Sequence, residues 1–554
     1  MADPLSIGQI AAQLGLAERD VEPMGWSKGK LAAGLSQRLP ARAAGHYIGV
    51  TAMSPTPLGE GKTVIAIGLA MALCRDGERA IVTLRQPSQG PVFGVKGGGA
   101  GGGAASLFPA DEINLHFTGD LHAVTAAHNL LAAMLDNHVQ RGRTPLVNPS
   151  TITWRRAIDL NDKGLAHIIS GLDHVPQAPL RETGFDLTAA SEVMAILALA
   201  DGLPDLRRRL GKIIVAESTL GEPVCANDIG VTGAMTALLR DAIRPNLVQT
   251  CEQTPAIVHA GPFANIAHGN SSIQADLAAV KLADYVVTES GFGSDCGAEK
   301  FFNIKCRVSG LRPSAEVVVC TVRALKYQSG RFPMKPGQPI PADLLREDLA
   351  AVRAGAANLQ GHLAALRKFE IPIVVALNRF PMDTDREIDL VRQLSLDYGA
   401  AGFAVAESFT RGSAGTLELA QAVKRACQMQ ANFRFLYPLE MPVEEKLQTI
   451  VREIYGGAGI ELMPLARHNL DQFQRWGIKD LPVCIAKTQY SLSHDPLLLG
   501  RPQGFTLPIR DIRLAAGAGF LYALAGEIST LPGLPRQPAA LRIDVTDDGC
   551  ITGL

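Results

Sequence analysis

One segment constrains the fold of this chain more than any other: Ser54-Pro-Thr-Pro-Leu-Gly-Glu-Gly-Lys-Thr63. A short apolar run, residues 46–53, precedes it, and an apolar helical pattern, residues 64–73, follows it. A strand, a glycine-bearing loop that ends in Lys-Thr, and a helix form the sequence pattern of a phosphate-binding loop. Backbone N–H groups of such a loop and the positive end of its helix cradle a polyphosphate. The segment therefore predicts a nucleotide site in an α/β fold.

The loop departs from the standard pattern G-x-x-x-x-G-K-[ST] at its first position, where this chain has Thr56. Lys62 is expected to reach the β- and γ-phosphates, and the Thr63 hydroxyl is expected to bind Mg²⁺. Alternatively, Gly59 and Gly61 only shape a strand-to-helix turn. The preceding strand, the Lys-Thr pair and the following helix agree with one another, which favours a nucleotide site of an unusual subclass over an ordinary GTPase or motor.

Composition excludes several other classes of function. The 554 residues are 47% hydrophobic and 19% charged, as in a globular enzyme, and the net charge of -1 offers no attraction for nucleic acid or a membrane surface. No run of about eighteen apolar residues is present, and the N-terminus has no secretory signal, so no membrane span is expected. Nine scattered cysteines without a C-x-x-C pair predict reduced thiols in a cytoplasmic protein.

Strand-like apolar runs alternate with helical stretches along most of the chain. Short, continuously apolar runs are typical of strands buried on both faces of a parallel sheet. The sequence therefore predicts an α/β fold with a large, doubly wound, mostly parallel sheet and smaller appended α/β domains. Besides the first run, the predicted strands are residues 79–84, 212–216, 255–259, 284–288, 316–320, 372–377 and 402–406.

The loops after these runs are rich in glycine, proline and polar residues. Since ligands of open parallel sheets bind at the carboxyl ends of the strands, we expect the loops to converge on one cleft. They are residues 85–91, 260–269, 289–295, 378–383 and 407–412.

A glycine run, Phe93-Gly-Val-Lys-Gly-Gly-Gly-Ala-Gly-Gly-Gly103, follows the second strand-like run. So many glycines lose much conformational entropy on folding, so a flexible linker is one interpretation. The nearby Arg85 and Lys96 favour another, a bare backbone surface that anionic groups approach closely.

Five longer segments identify a family resemblance. They resemble formate–tetrahydrofolate ligases, also called 10-formyltetrahydrofolate synthetases, in the monofunctional form, and the likeness runs from about residue 20 to the C-terminus. The segments are residues 56–63, 90–98, 114–120, 262–269 and 291–301.

The resemblance implies ATP-dependent ligation of formate to tetrahydrofolate, giving 10-formyltetrahydrofolate, ADP and phosphate through formyl phosphate. This is a carbon–nitrogen ligase reaction of one-carbon metabolism. MgATP and tetrahydrofolate are its substrates, and activation by K⁺ or NH₄⁺ is implied as well. A cytoplasmic homotetramer is implied, with no nucleic acid or membrane as partner.

The resemblance also implies site residues. Lys62 and Arg85 would be catalytic, with Arg85 clamping formyl phosphate. Phe380 and Phe409 would sandwich the pterin, although Phe409 stands where the family is expected to have tryptophan, and ordinary core packing is the alternative for each ring. The ATP-binding residues would be Thr56, Pro57, Leu58, Gly59, Glu60, Gly61, Lys62 and Thr63, with Thr63 as the Mg²⁺ ligand.

Several polar positions stay open between two interpretations. His268 either contacts a ligand or is structural, whereas His122 and His128 are expected to be structural. Asp120 and Asp295 either face a metal or substrate or cap a helix. Asn270 stands where the family often has cysteine, so essential thiol chemistry is not expected there.

The expected domains are residues 1–330 as the nucleotide-binding core, 331–435 as the region with the folate-binding loops, and 436–554 as a C-terminal α/β region. Two rival functions share the phosphate loop. One is another carboxylate-activating ligase, such as a dethiobiotin-synthetase-like protein, or a simple kinase. The other is a nucleotide-gated partition or assembly ATPase. Neither rival explains the glycine run together with the two phenylalanine loops.

Overall fold

A computed structural model describes residues 3–40, 44–96, 98–172, 180–334, 339–526, 528 and 530–554. The side chain of Lys96 and the whole of Gly97, both part of the predicted anion surface, lie outside the described residues.

Twelve strands of the described chain form one sheet. They are β1 (Val21–Pro23), β2 (Gly29–Leu31), β3 (His46–Ala52), β4 (Ala80–Leu84), β5 (Gly101–Gly102), β6 (Ala105–Phe108), β7 (Asn246–Thr250), β8 (Pro255–Val258), β9 (Tyr285–Glu289), β10 (Ala315–Cys320), β11 (Ile373–Asn378) and β12 (Gly402–Ala406).

The strands lie in the order β1, β2, β7, β8, β4, β9, β3, β10, β11, β12, and β5 and β6 join the sheet through β7. From β8 to β12 every neighbouring pair is parallel. The carboxyl ends of these seven strands therefore lie along one edge. In contrast, β7 runs antiparallel to β8, β2 and β6. The predicted doubly wound, mostly parallel α/β fold is confirmed.

Helices cover both faces of the sheet, and strands β4, β9, β10 and β11 are buried along their whole length. The helices of seven or more residues in the described ranges are α1 (Ile7–Gln13), α2 (Lys62–Arg75), α3 (Asp120–Gln140), α4 (Glu192–Leu199), α5 (Leu203–Gly211), α6 (Thr232–Leu238), α7 (Ile273–Leu282), α8 (Val322–Gln328), α9 (Leu349–Leu366), α10 (Asp385–Asp397), α11 (Leu417–Cys427), α12 (Val443–Ile450) and α13 (Pro464–Arg475).

The helix after the phosphate loop, α2, lies on one face of the sheet together with α11. Nine consecutive residues of α2, 65–73, are buried, because α11 and the loop after β12 cover the side that faces away from the sheet. Helices α7 and α9 pack on the opposite face. The start of α2 is thereby fixed at the middle of the carboxyl edge, next to β3.

The last part of the chain adds two small sheets. Gly459–Leu462 pairs in parallel with Thr506–Ile509, and Val483–Ala486, Phe520–Leu524 and Asp511–Ala515 form a three-stranded sheet. Ile485 and Leu507 from these sheets share the apolar core of α9. The C-terminal region therefore packs into the main body of the protein.

The boundary expected between residues 330 and 331 falls within the large sheet. Strands β11 and β12 come after it, and they extend the sheet from β10 by parallel pairing. The three-domain division stays a prediction, but its first two regions share one hydrogen-bonded sheet.

One expected strand of the sheet is wrong. Residues 212–216 were predicted to lie in it, but among the described strands Ile214–Glu217 pairs only with Pro223–Cys225, antiparallel. Its Val215 belongs to a separate apolar cluster with Ile196 of α4. An apolar run of this length is buried in either position, so its pattern cannot distinguish them. None of the helices in the described ranges is long and apolar enough to cross a membrane.

Candidate active site

The phosphate loop leaves β3 and ends where α2 begins at Lys62. Gly59 and Gly61 adopt φ angles of 71° and 80°, in the left-handed region that favours glycine. Gly61 precedes the first residue of the helix, and a Cβ atom on it would lie 2.4 Å from Asn378 Nδ2. Only glycine satisfies both conditions at residue 61.

Thr56 explains why the loop departs from the standard pattern. Its backbone N–H and its hydroxyl both donate to Glu60 Oε1, at 2.8 Å and 2.9 Å. The N–H of Leu58 donates to Thr56 Oγ1 at 3.2 Å. A glycine at residue 56 would lack the two hydroxyl bonds. Thr56 and Glu60 therefore hold the shape of the loop from within.

Thr63, in the first turn of α2, faces a carboxylate that the sequence analysis did not select. Its hydroxyl donates to Glu289 Oε2 at 2.8 Å, and Glu289 is the last residue of β9, the neighbour of β3. Beside it, the Lys62 side chain is half-buried and has no hydrogen-bond or ion-pair partner within the described residues. A hydroxyl and a carboxylate at the start of a helix suit a hard cation such as Mg²⁺, so these residues fit the metal that accompanies ATP.

Arg85 lies directly after β4, on the other side of β9. Its Nη1 donates to the carbonyl oxygen of Pro262 at 3.2 Å. A Cβ atom on Gly291 would lie 3.0 Å and 3.1 Å from the two Nη atoms, so the guanidinium lies against bare backbone. Burial lowers the pKa of Arg85, the Glu289 carboxylate opposes that shift, and the side chain stays cationic at neutral pH. Arg85, Glu289 and Thr63 thus form a row along the carboxyl edge of the sheet. Arg85 and Glu289 follow or end two adjacent strands, and Thr63 lies in the helix that follows the third, β3.

His268 is buried in the loop after β8. Its Nδ1 accepts a hydrogen bond from the N–H of Asn270 at 3.3 Å, which leaves the ring proton on Nε2, where no described residue accepts it. Burial lowers the pKa of His268 well below its usual range, and the positive charges of Lys305 and Arg85 lower it further. The ring is therefore neutral. The side chain of Asn270 donates to the carbonyl oxygen of Glu289 at 3.1 Å, which joins two loops of the site.

The two aspartates that the sequence left open are both in buried ion pairs. Asp120 pairs with Lys30 at 2.8 Å, and Asp295 pairs with Lys487 at 2.5 Å. Each aspartate is therefore neutralised by a buried lysine and not by a residue of the row of Arg85, Glu289 and Thr63.

The helical histidines lie outside this row as well. His128 contacts Ser191 Oγ at 2.8 Å and the Arg155 carbonyl oxygen at 3.0 Å through its two ring nitrogens, and its ring stacks on Trp154. His122 is exposed on α3.

Phe380 lies in the loop after β11, and an arginine side chain covers one face of its ring. The guanidinium carbon of Arg323 lies 3.5 Å from the centre of the ring. The N–H of Phe380 donates to Asp383 Oδ2 at 2.8 Å, which fixes the backbone of the loop. Since Arg323 covers one face, Phe380 is a half-buried platform rather than part of the apolar core.

Phe409, in the loop after β12, is 56% exposed, so it does not pack in the core. Its ring lies against the end of the glycine run: Cβ atoms on Gly102 and Gly103 would lie 3.3 Å and 3.0 Å from ring carbons. The N–H of Ala104 donates to the carbonyl oxygen of Phe409 at 2.8 Å. The end of the glycine run therefore packs against Phe409, and it is not a flexible linker.

The structure thus brings the predicted residues to one edge of the sheet. In strand order, this edge carries the His268 loop, Arg85, Glu289, the phosphate loop, Arg323, Phe380 and Phe409. Sequence reasoning missed Glu289, Arg323 and Asn378. Glu289 and Asn378 directly follow predicted strands, and Arg323 lies three residues after one. That was the available signal, but spacing along the chain does not tell which strands are neighbours.

The sequence matches the family model described as formate–tetrahydrofolate ligase over residues 1–554. A formate–tetrahydrofolate ligase from Roseiflexus sp. (strain RS-1) is 53% identical over 99% of this chain and 97% of its own length. Those from Paracoccus denitrificans (strain Pd 1222) and Desulforamulus reducens (strain ATCC BAA-1160 / DSM 100696 / MI-1) are 51% and 50% identical, covering 98% and 97% of their own lengths and 100% and 99% of this chain.

Proposed function

The chain belongs to the formate–tetrahydrofolate ligase family, and from that premise we propose which residues bind each substrate and which act in the reaction. The protein catalyses the ATP-dependent ligation of formate to tetrahydrofolate, a step of one-carbon metabolism. The match over the whole chain sets aside the kinase, the dethiobiotin-synthetase-like ligase and the partition ATPase.

Lys62 and the N–H groups at the start of α2 bind the phosphates of ATP. Support comes from the Lys62 ammonium, which has no ion-pair partner within the described residues, and from the left-handed glycines that shape the loop. Thr63 and Glu289 hold the Mg²⁺ that accompanies ATP, because they pair a hydroxyl with a carboxylate 2.8 Å apart. When bound, the metal neutralises charge on the phosphates.

Arg85 holds the reacting groups at the γ-phosphate end. A formate oxygen attacks the γ-phosphorus, the bond to the β-phosphate oxygen breaks, and ADP leaves with formyl phosphate formed. N10 of tetrahydrofolate then attacks the formyl carbon, phosphate leaves, and N10 gives up its proton. A planar guanidinium can engage two oxygens of formyl phosphate at once. The observation that carries this assignment is that Arg85 and Glu289 lie at the ends of two neighbouring strands, and that Glu289 accepts a hydrogen bond from Thr63 at the start of α2.

Phe380 and Phe409 hold the pterin of tetrahydrofolate. Both rings lie in neighbouring loops beyond the phosphate loop, and neither belongs to the apolar core. Aromatic faces stack on flat heterocycles, and a phenylalanine does so with less contact area than the tryptophan expected at residue 409.

The proposal extends to three properties that the family resemblance implies. Activation by K⁺ or NH₄⁺ is supported by the buried amide oxygen of Gln86, next to Arg85, which has no hydrogen-bond partner among the described residues. A homotetramer is supported by the exposed apolar side chains of Ile169, Leu172 and Leu180, which lie in or beside the antiparallel strand pair of residues 168–170 and 181–183. A cytoplasmic location fits the nine cysteines, all of which are free.

The decisive experiment measures ADP release from MgATP with formate alone, tetrahydrofolate alone and both, while 10-formyltetrahydrofolate is followed. Lys62→Ala should abolish ADP formation because it removes the charge that faces the phosphates. Arg85→Ser should lower formyl product by about 10²–10³-fold, with ATP binding and the melting temperature retained.

Arg79→Ser is the matched control, since Arg79 is exposed at the opposite end of β4 and pairs with Asp284. Near wild-type turnover of Lys62→Ala would contradict the phosphate assignment. Normal product formation by Arg85→Ser would contradict the formyl phosphate assignment.

A further inference from the structure

Arg323 lies between the two substrate regions of the site. It is the second residue of α8, directly after β10, and β10 lies between β3 and β11. The loop after β3 is the phosphate loop, and the loop after β11 carries Phe380. Neither the sequence motifs nor the proposed catalytic and binding roles involve Arg323.

The guanidinium of Arg323 contacts both loops at once. Its Nη2 donates to the carbonyl oxygens of Leu58 and Gly59, at 2.9 Å and 3.2 Å. The guanidinium also lies over the Phe380 ring, with Cζ 3.5 Å from the ring centre. Only a flat, delocalised cation can donate from its edge and stack with its face, so lysine is not equivalent here.

The backbone on both sides fixes this position. The hydroxyl of Thr321 accepts a hydrogen bond from the N–H of Ala324 at 3.0 Å and caps the first turn of α8, which carries Arg323. From the β11 side, Asn378 Nδ2 donates to the carbonyl oxygen of Glu60 at 3.0 Å. Three consecutive carbonyl groups of the phosphate loop, residues 58–60, are therefore held by side chains that also support or adjoin the Phe380 loop.

We propose that Arg323 is a positioning residue that couples the nucleotide site to the folate site. This inference rests on the proposed roles of the phosphate loop and Phe380. A nucleotide that orders the phosphate loop also fixes the Leu58 and Gly59 carbonyl groups, hence the guanidinium plane and the ring stacked on it. Each substrate therefore raises the affinity for the other, and linkage requires the same factor in both directions.

The test is calorimetry on the full chain. The dissociation constant of MgADP is measured with and without tetrahydrofolate, and that of tetrahydrofolate with and without MgADP. In the wild type each ligand should tighten the other several-fold, by equal factors. Arg323→Met keeps an apolar contact with the ring but donates no hydrogen bond, and Arg323→Lys keeps the charge without the plane. Both variants should bring the ratio close to one.

Arg331→Met is the matched control, because Arg331 follows the same helix, is exposed, and pairs with Asp348 instead. It should keep the wild-type ratio. A wild-type ratio of one, or an unchanged ratio in Arg323→Met, overturns the proposal. Melting temperatures identify a variant that fails to fold, and Phe380→Leu then supplies the test, since it removes the stacked face and leaves Arg323 in place.

Phe380→Leu also separates the two levels of inference. An unchanged affinity for tetrahydrofolate without nucleotide would refute the folate role of Phe380 itself. A weakened affinity with an intact coupling ratio would leave that role standing and overturn only the coupling through Arg323.

Discussion

Thr56 shows at the residue scale how the loop between β3 and α2 keeps its shape without the first glycine of the standard phosphate-loop pattern. The Thr56 hydroxyl donates to Glu60 and accepts from the N–H of Leu58. These two side-chain hydrogen bonds stabilise the loop at a position where the standard pattern has glycine. The position of the loop was predictable, because strand, Lys-Thr pair and helix are contiguous in the sequence. The role of Glu60 as an internal brace was not, since it depends on how the loop closes on itself.

Glu289 was also beyond sequence reasoning, because 226 residues separate it from Thr63. Glu289→Gln should raise the Mg²⁺ concentration needed for half-maximal activity by about 10–100-fold, the usual effect of losing a partner of a metal site. The physical reason is that a neutral amide attracts the cation less and no longer balances Arg85. The measurement is a Mg²⁺ titration of 10-formyltetrahydrofolate synthesis.

Glu418→Gln provides the comparison, since Glu418 is half-exposed and pairs with Arg392 instead of facing Thr63. Should Glu289→Gln show the same Mg²⁺ curve as Glu418→Gln, Glu289 would have no part in holding the metal.

Whole elements were predicted where apolar runs are short and continuous, as in β3, β10, β11 and β12. The pattern failed for Ile214–Glu217, which is equally apolar but packs outside the sheet, and it missed β7, whose neighbours all run antiparallel to it. Sequence periodicity reports burial and not the partner strand. For the same reason, the contact between the glycine run and Phe409 could not be predicted from the sequence.

Helix α9 makes a contact with the phosphate loop that should appear in the pH dependence of stability. His362 of α9 lies between Ser54 Oγ at 3.0 Å and Ser294 Oγ at 2.7 Å, and burial lowers its pKa from 6.5 to about 4. Between these values the unfolded chain binds the proton and the folded chain does not. The contribution of His362 is therefore fully present above pH 6.5 and is lost as the pH falls towards 4.

The loss amounts to at most about 3 kcal/mol in the free energy of unfolding. His362→Gln should reduce the pH dependence of urea unfolding between pH 6.5 and 4 by part of that amount, and leave the slope above pH 7 unchanged. His128 and His259 also have pKa values lowered to about 4 by burial, so a residual slope is expected. A variant slope identical to the wild type would show that His362 does not titrate in this way.

At the scale of the whole molecule, a buried ion pair links the loop after β9 of the large sheet to the C-terminal region, next to the start of the phosphate loop. Asp295 and Lys487 are fully buried and 2.5 Å apart, and the backbone before Asp295 lies against the carbonyl oxygen of Met53, where the phosphate loop begins. The sequence showed strand-like runs before and after residue 330, but only the pairing of β10 with β11 shows that one sheet spans that boundary.

Breaking this pair should destabilise the protein as a unit. Lys487→Met leaves the Asp295 carboxylate buried without its cation, so the free energy of unfolding should fall by about 3–5 kcal/mol. The double variant Asp295→Asn/Lys487→Met removes both charges and should recover most of that loss. Urea unfolding of the two variants, followed by circular dichroism, measures the difference. Equal or larger destabilisation of the double variant would refute a charge-based explanation.

The same ion pair determines when, during synthesis of the protein, the region beneath the phosphate loop can fold. Ser54 to Thr63 are made before Asp295, but Lys487, whose ammonium group neutralises Asp295, follows that carboxylate by 192 residues. Until Lys487 arrives, a nascent chain holds a carboxylate beneath the phosphate loop that favours solvent over burial. The proposed nucleotide site therefore lacks this buried support until long after its own motif has been synthesised.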